Sequence, residues 1–160
     1  MGGWRLIVGY VASLFGPNMN RPEKMLVLLL RLSAFVLLIA VIPVMMPYAW
    51  MQDIHRRLGM GELPHGPILG YLTRSLSAMY AMHGVVMLFV SLDVRRYMPL
   101  IKCLAVLGIV LGAGLLLLDI AVGMPAPWTI CEGPVIMPFY RFVYWLTTKV
   151  QSRWSKGTPA

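Results

Sequence analysis

The sequence predicts an all-α, polytopic membrane protein whose core is a four-transmembrane-helix bundle. The first observation is composition: the 160 residues are 59% hydrophobic and only 12% charged, with a mean hydropathy of +0.73. A soluble domain of this size keeps too much surface to hide so apolar a composition. The second observation is that three apolar runs reach the roughly 20 residues that a span requires, and a fourth does if two charges are tolerated.

The sequence shows no repeat, low-complexity tract or soluble domain, so the whole chain reads as one membrane domain. The spans lie within a four-helix membrane domain at 25–148. An interfacial or cytoplasmic segment, 1–24, precedes this domain, and a basic cytoplasmic tail, 149–160, follows it. The four predicted spans are about 25–46, 67–92, 99–122 and 127–148.

The N-terminal stretch GWRLIVGYVASLFG is too short to span and has no small-residue cleavage site of a signal peptide. Its apolar residues, such as Trp4, Ile7 and Val11, recur at helical spacing, with Arg5 and Ser13 on the other side. This pattern predicts a short amphipathic helix that lies in the membrane interface. An irregular tail stays open as the alternative.

The basic residues predict an N-in/C-in topology, because Lys and Arg concentrate in cytoplasmic segments. The opposite side offers only Arg56 and Arg57, both between the first two spans. The net charge of +8 therefore comes from basic residues that set the topology, and these residues also attract anionic lipid. It does not indicate nucleic-acid binding, because no binding motif surrounds it. The predicted cytoplasmic bases are Arg5, Arg21, Lys24, Arg31, Arg95, Arg96, Lys102, Lys149, Arg153 and Lys156.

The sequence carries no motif for catalysis or for holding a metal. It has no nucleotide-binding loop, HExxH, GxSxG or CxxC. The predicted topology places Cys103 and Cys131 at opposite faces of the membrane, too far apart for a disulfide. We therefore expect two buried free thiols, no cofactor, no metal and no catalytic residue.

Three charged residues are predicted to share one layer of the outer leaflet. By helical rise, Arg74 lies about 10 Å into the second span, Asp119 about 5 Å before the end of the third, and Glu132 about 8 Å into the fourth. An isolated charge at such depth is costly, so an ion pair or a wet pocket is expected. An internal clamp, a ligand or ion site, and snorkelling of Arg74 to the headgroups all remain open.

Small residues predict how the helices pack. Gly108 and Gly112 form a GxxxG motif on the same stripe as Asp119, and such motifs permit close approach of helix backbones. In the second span, Ser77 and Ala81 lie on the stripe of Arg74. We expect these residues at helix interfaces.

Five further residues are secondary candidates for a functional site. His83 is deeper in the second span than Arg74, and a hydrogen bond to a neighbouring helix explains it better than haem ligation or a proton relay. The first outer loop, 49–67, begins as a short amphipathic helix that Gly59 ends. This loop is either a simple connector or a lid over the charge cluster. As a lid it would bring four more side chains close: Asp53, His55, Arg56 and Glu62.

The segments IHRRLGMGELP, YLTRSLSAMYAMHG and SLDVRRYMPL resemble a family of small, uncharacterised four-helix bacterial membrane proteins. The resemblance covers roughly residues 50–135. It implies a multi-pass protein of the bacterial inner membrane, and it transfers no function. It directs attention to Arg74, His83, Asp93 and Arg95.

Two classes of function fit this sequence. The leading hypothesis is a structural or accessory membrane subunit, which packs against a membrane protein partner or a second copy of itself. The alternative is a small transporter or membrane enzyme that binds an anionic or lipid-like ligand at the periplasmic face. The expected surroundings are the lipid bilayer in both cases.

Overall fold

The computed structural model describes residues 19–157. Within this range the chain is all-α: it forms seven helices and no strand. The predicted N-terminal amphipathic helix and the last residues of the tail lie outside the described residues. The helices are α1 (Arg21–Leu38), α2 (Val41–Met45), α3 (Tyr48–Arg57), α4 (Pro67–Leu92), α5 (Met98–Val122), α6 (Ala126–Cys131) and α7 (Gly133–Gly157).

Three helical segments are long and apolar enough to cross a membrane: Arg21–Met45, which combines α1 and α2, Pro67–Leu92 and Met98–Val122. They correspond to the first three predicted spans. The fourth long helix, α7, is as long as α5, but Arg141, Lys149 and Arg153 interrupt its apolar sequence. The length and composition of these three helices therefore indicate a membrane protein.

The sequence predicts one continuous helix for the first span, but the structure shows a break in it. It begins at Arg21 rather than Met25 and turns at residues 39–40 before α2 continues. Pro43 explains the turn, because proline has no backbone N–H to donate to the carbonyl of Ile39. The Ile42 N–H takes that carbonyl instead, at 2.9 Å, which tightens the chain into a turn.

The fourth predicted span also differs from the expected single helix. The short α6 ends at Cys131, and α7 begins after a break at Glu132, whose backbone angles (φ −97°, ψ −88°) are not helical. Pro134 lies at the start of α7 and cannot donate to the preceding turn. Helix α7 then continues to Gly157, beyond the predicted end at residue 148.

The long helices form two antiparallel pairs. In the first pair, α1 packs on α4, and a Cβ at Gly84 would lie 3.0 Å from the carbonyl oxygen of Ala34. In the second pair, α5 packs on α7. A Cβ at Gly108 would overlap the Tyr140 ring, and one at Gly112 would meet Met137. The two glycines of the GxxxG motif thus let α7 approach closely.

The bundle has two unlike ends. We call the end where α1 and α5 begin and α4 and α7 end the network end, and the opposite end the loop end. Almost every buried hydrophobic residue lies in the half near the network end or at mid-bundle. The exceptions among the described residues are Met51 and Leu63, and neither belongs to a long helix.

The connection at the loop end contains the predicted amphipathic helix. Helix α3 buries Met51 and leaves Trp50 and Ile54 exposed. Its basic residues His55, Arg56 and Arg57 occupy the last turn, where they complement the helix dipole. Gly59 follows with a φ of +79°, the left-handed conformation that favours glycine at a helix end.

Both cysteines are free thiols. The expectation that they are buried is wrong, because Cys103 and Cys131 are exposed on the helix surface. Cys103 lies on α5 next to Lys102, and Cys131 ends α6. Neither position belongs to the small-residue stripes that pack the helices together.

Candidate functional site

The most deeply buried acid of the described chain is Glu23, which is fully buried at the network end. Its Oε1 accepts hydrogen bonds from Arg95 Nε at 3.0 Å and from Trp154 Nε1 at 2.6 Å. Its Oε2 accepts the backbone N–H of Asn20 at 2.7 Å. One carboxylate therefore joins the start of α1, the α4–α5 connection and the end of α7. We call Asn20, Glu23, Arg95 and Trp154 the Glu23 network.

Local sequence places Glu23 at this point. The Asn20 side chain accepts the Glu23 backbone N–H at 3.1 Å, while the Glu23 side chain accepts the Asn20 backbone N–H. This reciprocal arrangement is a capping box, which satisfies two of the free donors at a helix start. Pro22 sits in the first turn, where its missing N–H costs nothing.

The cation of the network is held in two ways. Arg95 forms an ion pair with Glu23, and its guanidinium carbon lies 5.5 Å from the centre of the Trp154 ring. A cation over an aromatic face adds attraction beyond the ion pair. Because Glu23 is buried and Arg95 is more than half exposed, the arginine closes the network on its solvent side.

Sequence reasoning missed Glu23 as a site residue. The signal that could have found it is the tetrapeptide Asn20-Arg21-Pro22-Glu23, since an Asn followed three residues later by Glu before an apolar run marks a helix start. Trp154 carries no such signal, because only the packing of α7 on α1 brings the two together. The sequence singles out Arg95 as a cytoplasmic base and through the family resemblance, but not as the partner of an acid.

At the loop end, the predicted ion pairing of Arg74 is wrong. Among the described residues Arg74 makes no salt bridge; its Nη1 donates to the Gly70 carbonyl at 3.3 Å and its Nη2 to the Met46 carbonyl at 3.1 Å. The reason is the packing of α4 on α1 and α2. Met46 follows the end of α2, where carbonyls lack helical partners, and the guanidinium satisfies one of them.

The two acids of the predicted cluster go elsewhere. Glu132, in the break between α6 and α7, accepts the Trp128 indole N–H at 2.7 Å. Asp119 is only 5% exposed, and its Oδ2 is the one buried side-chain oxygen or nitrogen without a partner among the described residues. The shared depth predicted for the three charges therefore does not produce a clamp.

The secondary candidates of the outer loop make their contacts within that loop. Arg57 pairs with Asp53 at 2.8 Å and Arg56 with Glu62 at 3.7 Å. The His55 Nδ1 lies 3.0 Å from the Gly61 carbonyl oxygen. Glu62 also accepts a hydrogen bond from Gln52 Nε2 at 2.6 Å, so these side chains bond within residues 52–62 and stabilise the loop itself. The tyrosine at the start of α3, Tyr48, ties the loop further by donating its hydroxyl to the Leu63 carbonyl at 2.7 Å.

His83 makes the interhelical hydrogen bond that the sequence predicts. Its Nε2 lies 3.2 Å from the hydroxyl oxygen of Tyr140, so α4 and α7 are connected at mid-bundle. The remaining small-residue candidates lie at interfaces: Ser77 and Ala81 are buried on α4, as are Gly108 and Gly112 on α5. In the part of the chain that the structure describes, no group of three or more His, Cys, Asp or Glu residues could hold a metal ion.

Comparisons with protein-family models, with curated proteins and with solved structures gave no match to this chain. The functional argument therefore depends on the geometry. Among the described residues, that geometry offers a buried hydrogen-bonded network at one end, and at the other an arginine bonded to carbonyls and an aspartate oxygen without a partner.

Proposed function

We propose that this chain is a four-span protein of the bacterial inner membrane with both termini in the cytoplasm. Three helices are apolar enough to span, and α7 packs on α5 as its antiparallel partner, from Lys102–Gln151 to Leu116–Gly133. The network end carries most of the basic residues, including Arg21, Arg96 and Lys149, which favours the cytoplasmic side for this end.

Reporter fusions test this topology directly. Fusions after Lys156 and in the 93–96 loop should both report a cytoplasmic location, and a fusion at Gly61 should report an external one. An external reading after Lys156 would leave α7 outside the membrane and reduce the protein to three spans.

The function that the geometry supports best is that of a structural or accessory membrane subunit. The observation that carries this proposal is the Glu23 network, because the deepest buried charge of the described chain serves to join three segments of that same chain. A buried carboxylate whose oxygens are all bonded internally fixes helix positions and leaves no free group for chemistry. A rigid bundle then presents its apolar outer faces to lipid and to a partner.

Site-specific photo-crosslinking tests the accessory role. A photoreactive residue is introduced at exposed apolar positions on three helices, Phe35, Met79 and Val110. A subunit should give a protein crosslink of defined mass from one of these faces in living cells, either to a second copy or to another membrane protein. Lipid adducts alone from all three faces would contradict the accessory role.

One observation favours the alternative, a small transporter or membrane enzyme that binds an anionic or lipid-like ligand at the periplasmic face. The positive charge of Arg74 is half-buried at the loop end and is met only by backbone carbonyls among the described residues. An Arg74→Gln variant separates the two functions. The accessory role predicts that the crosslinks and the cellular phenotype both persist, whereas the alternative predicts unchanged crosslinks with loss of the phenotype.

A further inference from the structure

A groove runs between the start of α1 and the second half of α7 at the network end. This open groove has a volume of about 500 Å³. Its rim, toward the end of the bundle, carries three cations: Arg21, Lys149 and Arg153. Its wall, closer to the middle of the bundle, is apolar and includes Met25, Phe142 and Trp145. The Phe142 and Trp145 rings stack at 5.6 Å, and Lys149 Nζ lies 5.5 Å from the centre of the Trp145 ring.

The rim charge of the groove has no counterion in its lining. The described residues that line it include no acid, and none of the three rim cations forms a salt bridge within the described chain. The nearest acid in sequence, Glu23, is fully buried and bonded to Arg95 and Trp154. Three positive charges around one cavity attract an anion.

The charged and the apolar residues of the groove also lie at different depths along the helix axis. Arg153 and Phe142 are separated by about 16 Å along α7, and Arg21 and Met25 by about 6 Å along α1. The cations therefore lie toward the end of the bundle, and the aromatic and thioether side chains lie deeper. A tryptophan below a cationic rim is the arrangement that helices adopt at the boundary between headgroups and acyl chains.

We propose that this groove binds an anionic phospholipid, with the headgroup phosphate at Arg21, Lys149 and Arg153 and an acyl chain against Met25, Phe142 and Trp145. Charge complementarity selects an anionic headgroup over a zwitterionic one. The apolar wall selects a lipid over a free phosphate ion, since an inorganic anion leaves that wall uncovered. The inference requires only that the bundle is embedded in a bilayer, and it is independent of the accessory role.

The test uses the full-length protein reconstituted in phosphatidylcholine vesicles. Trace spin-labelled phosphatidylglycerol and spin-labelled phosphatidylcholine report the relative association constants of the two lipids with the protein. The groove variant is Lys149→Gln/Arg153→Gln. The control variant, Lys24→Gln/Arg96→Gln, removes two cations that are also exposed at the same end of the bundle but lie outside the groove.

The wild type should bind phosphatidylglycerol more tightly than phosphatidylcholine. In the groove variant the ratio of the two association constants should fall on the order of tenfold, as expected for the loss of two surface cations near a lipid headgroup. The control variant should retain most of this preference. An equal loss in both variants would overturn the proposal in favour of diffuse surface attraction, and no loss in the groove variant would overturn it outright. Displacement of the lipid by millimolar inorganic phosphate at constant ionic strength would also overturn it, because the site would then select a small anion.

Discussion

The two ends of the bundle hold their buried acids in opposite ways. At the network end Glu23 is fully buried and accepts three hydrogen bonds from other residues of the network. At the loop end Asp119 is nearly as buried, yet one carboxylate oxygen has no partner within the described residues. Charge at a given depth therefore does not predict a clamp, because helix pairing decides which side chains meet.

The difference follows from how the helices pair. Arg74 lies on α4, which packs on α1 and α2, whereas Asp119 lies on α5, which packs on α7. The pairs share their most buried contacts near the network end, through residues such as Met87, Met98 and Val143. The loop end is held instead by contacts within each connection, so its charges stay apart.

The largest effect is expected from Glu23→Ala. The variant loses the Glu23 side chain's part of the capping box and the carboxylate that accepts hydrogen bonds from Arg95 and Trp154, so the free energy of unfolding should fall by about 3 kcal/mol. Titration with a denaturing detergent in bicelles measures this change. The matched control is Glu132→Ala at the loop end, which loses one exposed hydrogen bond from Trp128 and should cost about 1 kcal/mol or less. Equal losses would contradict the difference between the two ends.

A smaller effect is expected in the α5–α7 pair. Gly108→Ala places a Cβ against the Tyr140 ring, so the helices must separate or the ring must move, at about 2 kcal/mol. The same unfolding assay measures the loss. Gly114→Ala on the same helix is the control, because a Cβ there meets nothing within 4 Å, and it should be neutral or slightly stabilising. A harmless Gly108→Ala would show that α7 does not approach α5 this closely.

Arg74→Ala should cost about 1 kcal/mol, which is far less than an ion-paired clamp would lose. The variant gives up two hydrogen bonds to the carbonyls of Gly70 and Met46, and it strands no buried partner acid. The unfolding free energy in bicelles checks this value. A loss of about 3–5 kcal/mol, as for a broken buried ion pair, would restore the clamp that the sequence suggested.

The smallest change is expected at Asp119, and its sign is opposite. Asp119→Asn removes a buried negative charge whose Oδ2 has no partner within residues 19–157, so stability should rise by up to about 1 kcal/mol. The thermal midpoint of the reconstituted protein reports the direction. A clear loss of stability would indicate that Asp119 has a partner from outside the described chain.

The sequence predicts much of the fold, because span length and composition are strong signals. Helix α4 occupies residues 67–92, as the apolar run indicates, and the stripe of Gly108 and Gly112 lies against another helix. The breaks at residues 39–40 and at Glu132 were less predictable, because proline marks a weak point without saying whether the chain kinks or stops there. The site was hardest. The contact between Glu23 and Trp154 joins residues at opposite ends of the chain, and no periodicity encodes that pairing.

The most direct test of the account is a pair of double-mutant cycles on unfolding free energy. The first cycle combines Glu23→Ala with Arg95→Ala, and the second combines Arg74→Ala with Glu132→Ala. We predict a coupling energy of about 1–2 kcal/mol in the first cycle and less than about 0.5 kcal/mol in the second, because only the first pair is in contact. Strong coupling between Arg74 and Glu132, with none between Glu23 and Arg95, would contradict the claim that the ion pair at the network end stabilises the bundle.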